Sequence, residues 1–156
     1  MKLSMKRGFS FGLISGIITT LGLIVGLNSG THSKLVVFGG ILTIAVADAF
    51  SDALGMHISE EYSRQKTKQV WVSTLATFLA KFFFALTFVV PVLFFQLSTA
   101  VIIDIIWGLS LIGIFSYYIA KQEKARPINV IGEHVAIAII VIILTRLIGG
   151  WISTFG

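Results

Sequence analysis

The sequence predicts an all-α integral membrane protein with five transmembrane helices, and three observations lead there. First, 56% of the 156 residues are apolar and only 12% are Asp, Glu, Lys or Arg. That is about half the charge of an ordinary globular protein, roughly 25%, and the mean hydropathy is +0.95. A soluble chain of this length could not hide so much apolar side chain behind so few charges. Second, five apolar stretches each approach or exceed the roughly 20 helical residues that cross a hydrocarbon core at 1.5 Å per residue. Third, the basic residues cluster between those stretches. Together these features exclude a disordered chain, a collagen-like repeat, a disulfide scaffold and most small soluble enzymes. The whole chain, 1–156, reads as a single transmembrane domain embedded in the lipid bilayer. Its expected location is the cell membrane of a prokaryote.

The predicted spans are 9–27, 35–58, 70–95, 100–120 and 128–151. Lys2, Lys6 and Arg7 precede the first; Arg64, Lys66 and Lys68 lie between the second and third; Lys121, Lys124 and Arg126 lie between the fourth and fifth. The first loop carries only Lys34, and the third, Gln96 to Thr99, carries no basic residue. The positive-inside rule therefore predicts a cytoplasmic amino terminus and, with an odd number of spans, a carboxyl terminus outside. The net charge of +5 describes topology; no basic patch is interleaved with aromatics as a nucleic-acid surface would be. Without cysteine, thiolate metal sites and redox chemistry are excluded. The first apolar run is longer than a signal-peptide core and is followed by no small-residue cleavage site, so it is expected to remain as a span.

Span 1 has a small-residue stripe. At 100° per residue, Gly8, Gly12, Ser15, Gly16, Thr19, Gly22 and Gly26 fall on one side, and Ile14, Ile17, Ile18, Leu21, Ile24 and Val25 cover the other. Such a stripe lets two backbones approach closely, which in lipid replaces the missing hydrophobic drive. Ser15 and Thr19 add hydroxyls that could line a polar path.

Span 2 carries Asp48 and Asp52, four residues apart and so on one face, with Gly55, Met56 and Ser59 continuing the stripe. A carboxylate at the centre of a spanning helix costs about 2.5–3.5 kcal/mol on insertion scales, so these two must face protein, water or a cation. His57 falls about 180° from Asp48 and is not grouped with them. Counting from the cytoplasmic end, Ser15 and Asp52 lie about 9 Å deep, and Thr19 and Asp48 about 15 Å. Lys81 in span 3 comes out about 17 Å deep, which predicts that it pairs with Asp48 or Asp52.

Pro91 is expected to kink span 3, and Asp104 and Arg146, at similar depth, are expected to pair. Glu133 enters span 5 from the cytoplasm and is a further candidate for an ion path. Trp107, Trp151, Tyr117 and Tyr118 fit an interfacial aromatic belt. No phosphate-binding loop, zincin motif or nucleophile elbow is evident, so an enzyme is not expected.

The run Gly12-Leu13-Ile14-Ser15-Gly16-Ile17-Ile18-Thr19-Thr20-Leu21-Gly22-Leu23-Ile24-Val25-Gly26-Leu27 resembles the first-span signature of the vacuolar iron transporter family. The run from Ala47 to Tyr62 is similar to that family's second-span signature. The resemblance covers essentially the whole chain and implies a homodimer that moves Fe²⁺ or a similar divalent metal, Mn²⁺ included, out of the cytoplasm by proton antiport. The metal is substrate; no permanently bound cofactor is implied. Asp48 matches the family's second-span carboxylate, Met56 its pathway methionine and Glu61 the glutamate before the tyrosine. With Asp52, these give Asp48, Asp52 and Met56 as expected metal ligands, a hard-and-soft donor set acceptable to Fe²⁺ and Mn²⁺. Ser15, Thr19, Glu60 and Glu61 are the expected path. Two departures stand out. Ile14-Ser15 replaces the family's Asn-Asp pair, and Lys81 adds a positive charge; the loop after span 2 is short and basic, as in members lacking the cytoplasmic metal-binding domain. Two rivals stay open: the same fold carrying a different ion or substrate, and a non-transporting scaffold or assembly protein.

Overall fold

A computed structural model describes residues 2–155. The helices are α1 (Lys2–Thr31), α2 (Lys34–Tyr62), α3 (Thr67–Thr87), α4 (Val89–Phe94), α5 (Leu97–Glu123) and α6 (Pro127–Ile152), followed by a 3₁₀ turn at Ser153–Phe155. Five continuous helical segments, with α3 and α4 counted as one, are long and apolar enough to cross a membrane. Each predicted span has its helix. The helices overrun most of the apolar cores because the flanking polar residues continue the backbone hydrogen bonding into the interfacial zone, where water can satisfy their side chains.

The breaks have local causes. His32 in the left-handed region ends α1, and the Ser33 side chain accepts from the Val36 N–H to start α2. Arg64, also left-handed, closes α2: its N–H donates to the Glu61 carbonyl while Gln65 N–H donates to that of Glu60. This pairing satisfies carbonyls that a helix end would otherwise leave free. Lys124 plays the same part after α5, and Pro127 then opens α6. Span 3 breaks at Phe88, three residues before Pro91, because the proline ring crowds the carbonyl four residues back and has no N–H to offer it.

Side-chain contacts fix how the helices run. Gly8, Gly12 and Gly16 of α1 face Ser73, Thr77 and Lys81 of α3 in the same order, so those helices are parallel. Ser15 and Thr19 meet Asp52 and Asp48 in reverse order, so α2 is antiparallel to α1. The α1 stripe thus serves two neighbours in turn. Its first half packs on α3; its second half, Gly22, Gly26 and Gly30, packs on Val141, Thr145 and Gly149 of α6. The opposite face of α1 supplies Leu13, Ile17, Leu21 and Ile24, all fully buried in the central core. α1 is therefore the axis of the bundle and α6 its least buried helix.

Two expectations are corrected. Asp104 and Arg146 do not pair: Asp104 is fully buried with no partner for either carboxylate oxygen, while Arg146 is exposed. Equal depth did not help, because the two side chains occupy different faces of their helices. Trp107 is not in an interfacial belt; it lies about 15 Å into α5, where its indole N–H donates to Thr87 Oγ1 at 3.1 Å.

Candidate functional site

The deepest charges of the bundle gather where α1, α2 and α3 meet. Lys81 reaches from α3 with only 1% of its side chain exposed, and its Nζ lies 2.6 Å from Asp48 Oδ2. The same Nζ pairs with Asp52 and donates to Ser15 Oγ at 3.0 Å. The ammonium thus donates to Asp52 and Ser15 and sits in ion-pair contact with Asp48. Ser15 in turn donates to Asp52 Oδ2 at 2.6 Å, and Thr19 Oγ1 donates to Asp48 Oδ2 at 2.8 Å. Ser15 and Asp52, and Thr19 and Asp48, which counting along the helices places at similar depths, are hydrogen-bonded to each other.

Local sequence explains why the cluster forms. Gly16 lets α1 lie directly on the Lys81 stem: a Cβ there would fall 3.0 Å from Lys81 Cγ and 3.2 Å from its Cα. The four-residue spacing of Asp48 and Asp52 turns both carboxylates toward α1. An unpaired ammonium at this depth would cost as much as the aspartates, so two carboxylates and a lysine stabilise one another where each alone would not be tolerated. The carboxylates keep some access, with 25% of the Asp48 side chain and 21% of the Asp52 side chain exposed.

The two sides of the cluster differ. From Asp48 and Thr19 a groove of about 700 Å³ runs between α1 and α2 past Leu23 and Ala47 to Leu27 and Val36, open along one side. Toward the amino-terminal end the α1–α3 seam is closed. A Cβ at Gly8 would fall 2.1 Å from the Ser73 carbonyl oxygen, and one at Gly12 would fall 2.3 Å from that of Thr77. At the very end, Arg7 and Glu60 form an ion pair at 3.7 Å, with Glu60 buried and its Oε2 unpartnered.

The other sequence candidates are scattered. Met56 is one turn from Asp52 and half-buried, and Glu60 is one turn further, so α2 presents Asp48, Asp52, Met56 and Glu60 as a ladder. Glu61 stands apart, exposed and 3.4 Å from His57 Nε2; His57 turns its Nδ1 to Thr74 on α3, away from the aspartates. Glu133 is exposed on α6, which packs against α1 and α5 and not against the α2–α3 face, so it does not join the cluster. Among the described residues no group of three or more His, Cys, Asp or Glu side chains gathers in a way that could hold a metal ion. Arg7 was overlooked as a site residue because it reads as a topology charge. Counting depth would have found it, since it lies level with Glu60.

The chain matches no family model and no curated protein.

Proposed function

We propose that this chain is a membrane transporter that moves a divalent transition-metal cation, Fe²⁺ or Mn²⁺, out of the cytoplasm in exchange for protons. The observation that carries this reading is the Asp48–Lys81–Asp52 cluster, held deep in the bundle yet reached by an open groove. Intramembrane ionisable residues that face a cavity mark ion pathways. The identity of the ion rests on the resemblance of the first two spans to vacuolar iron transporters, which also implies a homodimer.

The chemistry follows from charge. Two carboxylates with one ammonium leave the cluster one negative charge in excess. A divalent cation arriving along the groove would replace the ammonium between Asp48 and Asp52 and neutralise both. It would complete its shell from the Ser15 and Thr19 hydroxyls, main-chain carbonyls and water, with Met56 one turn along the ladder. So few protein donors suit a site that must release its ion. With the amino terminus cytoplasmic, as the basic loops predict, the groove faces the far side and the glycine seam and Arg7–Glu60 pair close the cytoplasmic side. The arrangement then corresponds to one state of an alternating-access cycle.

A second reading has its own support. Lys81 is already held by two carboxylates and a hydroxyl, which suits a fixed structural triad in a non-transporting scaffold. Purified protein in liposomes, with a metal-sensitive dye and a pH dye inside, separates the two. Metal flux with opposite proton flux supports the transporter; no flux of Fe²⁺, Mn²⁺, Co²⁺, Zn²⁺ or Ni²⁺ rejects it in favour of the scaffold.

A further inference from the structure

A second site lies on the opposite face of α2. Between α2 and α3 an apolar groove of about 450 Å³ is walled by Phe50, Leu54, Trp71, Leu75 and Phe78, with His57 at one end. Phe50, Leu54, Trp71 and Leu75 are each more than half exposed, so the groove opens outward, onto the surface a bilayer would cover. It runs over about 10 Å of α2, from Phe50 to His57, and then changes character. The next recess, which shares His57 and Trp71, is polar and is bordered by Gln65 and Thr67 in the α2–α3 turn.

Charge says what fits there. Arg64, Lys66 and Lys68 alternate with Gln65 and Thr67 along the turn, all three are exposed, and among the described residues none has an ion-pair partner. Glu61 lines the polar recess and is turned to His57, at 3.4 Å from its Nε2. An apolar slot that leads toward a turn carrying three unpaired cations complements a molecule with a hydrocarbon chain and an anionic head.

We infer that the α2–α3 groove binds an anionic glycerophospholipid, one acyl chain lying along Phe50, Leu54 and Leu75 and the headgroup phosphate meeting Arg64, Lys66 and Lys68. Juxtamembrane basic clusters attract anionic lipid in this way, and the groove adds a place for the chain. The site is independent of the ion pathway and of whether the protein transports anything.

Trp71 in the wall provides the probe. In Trp107→Phe/Trp151→Phe protein, reconstituted with brominated phosphatidylglycerol or brominated phosphatidylcholine at equal mole fraction, the expected result is stronger quenching of Trp71 by the anionic lipid. Replacing Arg64, Lys66 and Lys68 by Gln should remove that preference, at roughly fivefold in relative affinity for each charge lost. These exposed turn residues are outside the core, and equal quenching by phosphatidylcholine before and after substitution reports that the fold is intact. Equal quenching by both lipids in the parent protein would overturn the inference, leaving ordinary lipid-facing surface. Protection of Trp71 from both lipids would overturn it as well, since a second copy of the chain would then cover the groove.

Discussion

Lys81 and Asp48 form a 2.6 Å ion pair at a depth where neither charge is tolerated alone. The lysine comes from α3 and the aspartate from α2, and Gly16 of α1 provides the space for the lysine stem. Three helices are therefore tied together by one buried ammonium, which also holds Asp52 and Ser15.

Removing that ammonium is expected to cost more than removing the whole cluster. Lys81→Met leaves two carboxylates close together with only hydroxyl donors. Breaking a buried pair costs about 3–5 kcal/mol when the remaining charge is fully enclosed; partial exposure of both aspartates lowers the expectation to about 1–3 kcal/mol. Adding Asp48→Asn and Asp52→Asn to Lys81→Met should return much of that stability. Denaturation of the four combinations in detergent, read as a cycle, checks this. Additive losses would show that the three groups do not act as a unit.

The glycine seam gives a steric test with a built-in control. Gly12→Val places new atoms against the Thr77 main chain, which cannot move aside as a side-chain tip can. Overpacking of this kind costs about 1–3 kcal/mol, and in this seam it should also separate α1 from α3. Gly113 has nothing within 4 Å of an added Cβ, so Gly113→Ala is expected to be neutral or to stabilise α5 by about 0.5–1 kcal/mol. Melting temperatures of the two variants decide; equal behaviour would mean that the close approach is unimportant.

Asp104 makes a contrast with Asp48. Both lie within spans, but Asp104 is fully enclosed and neither of its oxygens has a partner. An unsatisfied buried polar group costs about 1–3 kcal/mol, so Asp104→Val is expected to raise thermal stability by that order while leaving flux unchanged. A loss of flux in a variant that still folds would give Asp104 a functional part that the cluster at Asp48 does not explain.

Much of this was legible from the sequence. Span existence follows from apolar run length, and the break near Pro91 follows from one missing N–H. That Ser15 lies level with Asp52 and Thr19 with Asp48 follows from counting 1.5 Å per residue along helices that must cross the same slab. Depth, however, is one coordinate of three. It matched Asp104 with Arg146, which share a level but point different ways, and it could not show that Glu133 belongs to a helix outside the α2–α3 face. The division of the α1 stripe between α3 and α6 was also hidden, because the stripe is continuous on a helical projection and only the crossing of the helices divides it. Trp107 was misplaced for a related reason: composition favours an aromatic belt, whereas one hydroxyl at Thr87 takes the indole N–H on the exposed side of α5.

The central claim, that a cation crosses between Asp48 and Asp52, is tested most directly by comparing metal flux in liposomes for the parent protein and for Asp48→Asn/Asp52→Asn, with folding verified by gel filtration and melting. The expected result is metal uptake with opposite proton movement in the parent and none of either in the double variant. Equal flux in the two proteins would contradict the claim and move the pathway elsewhere in the bundle.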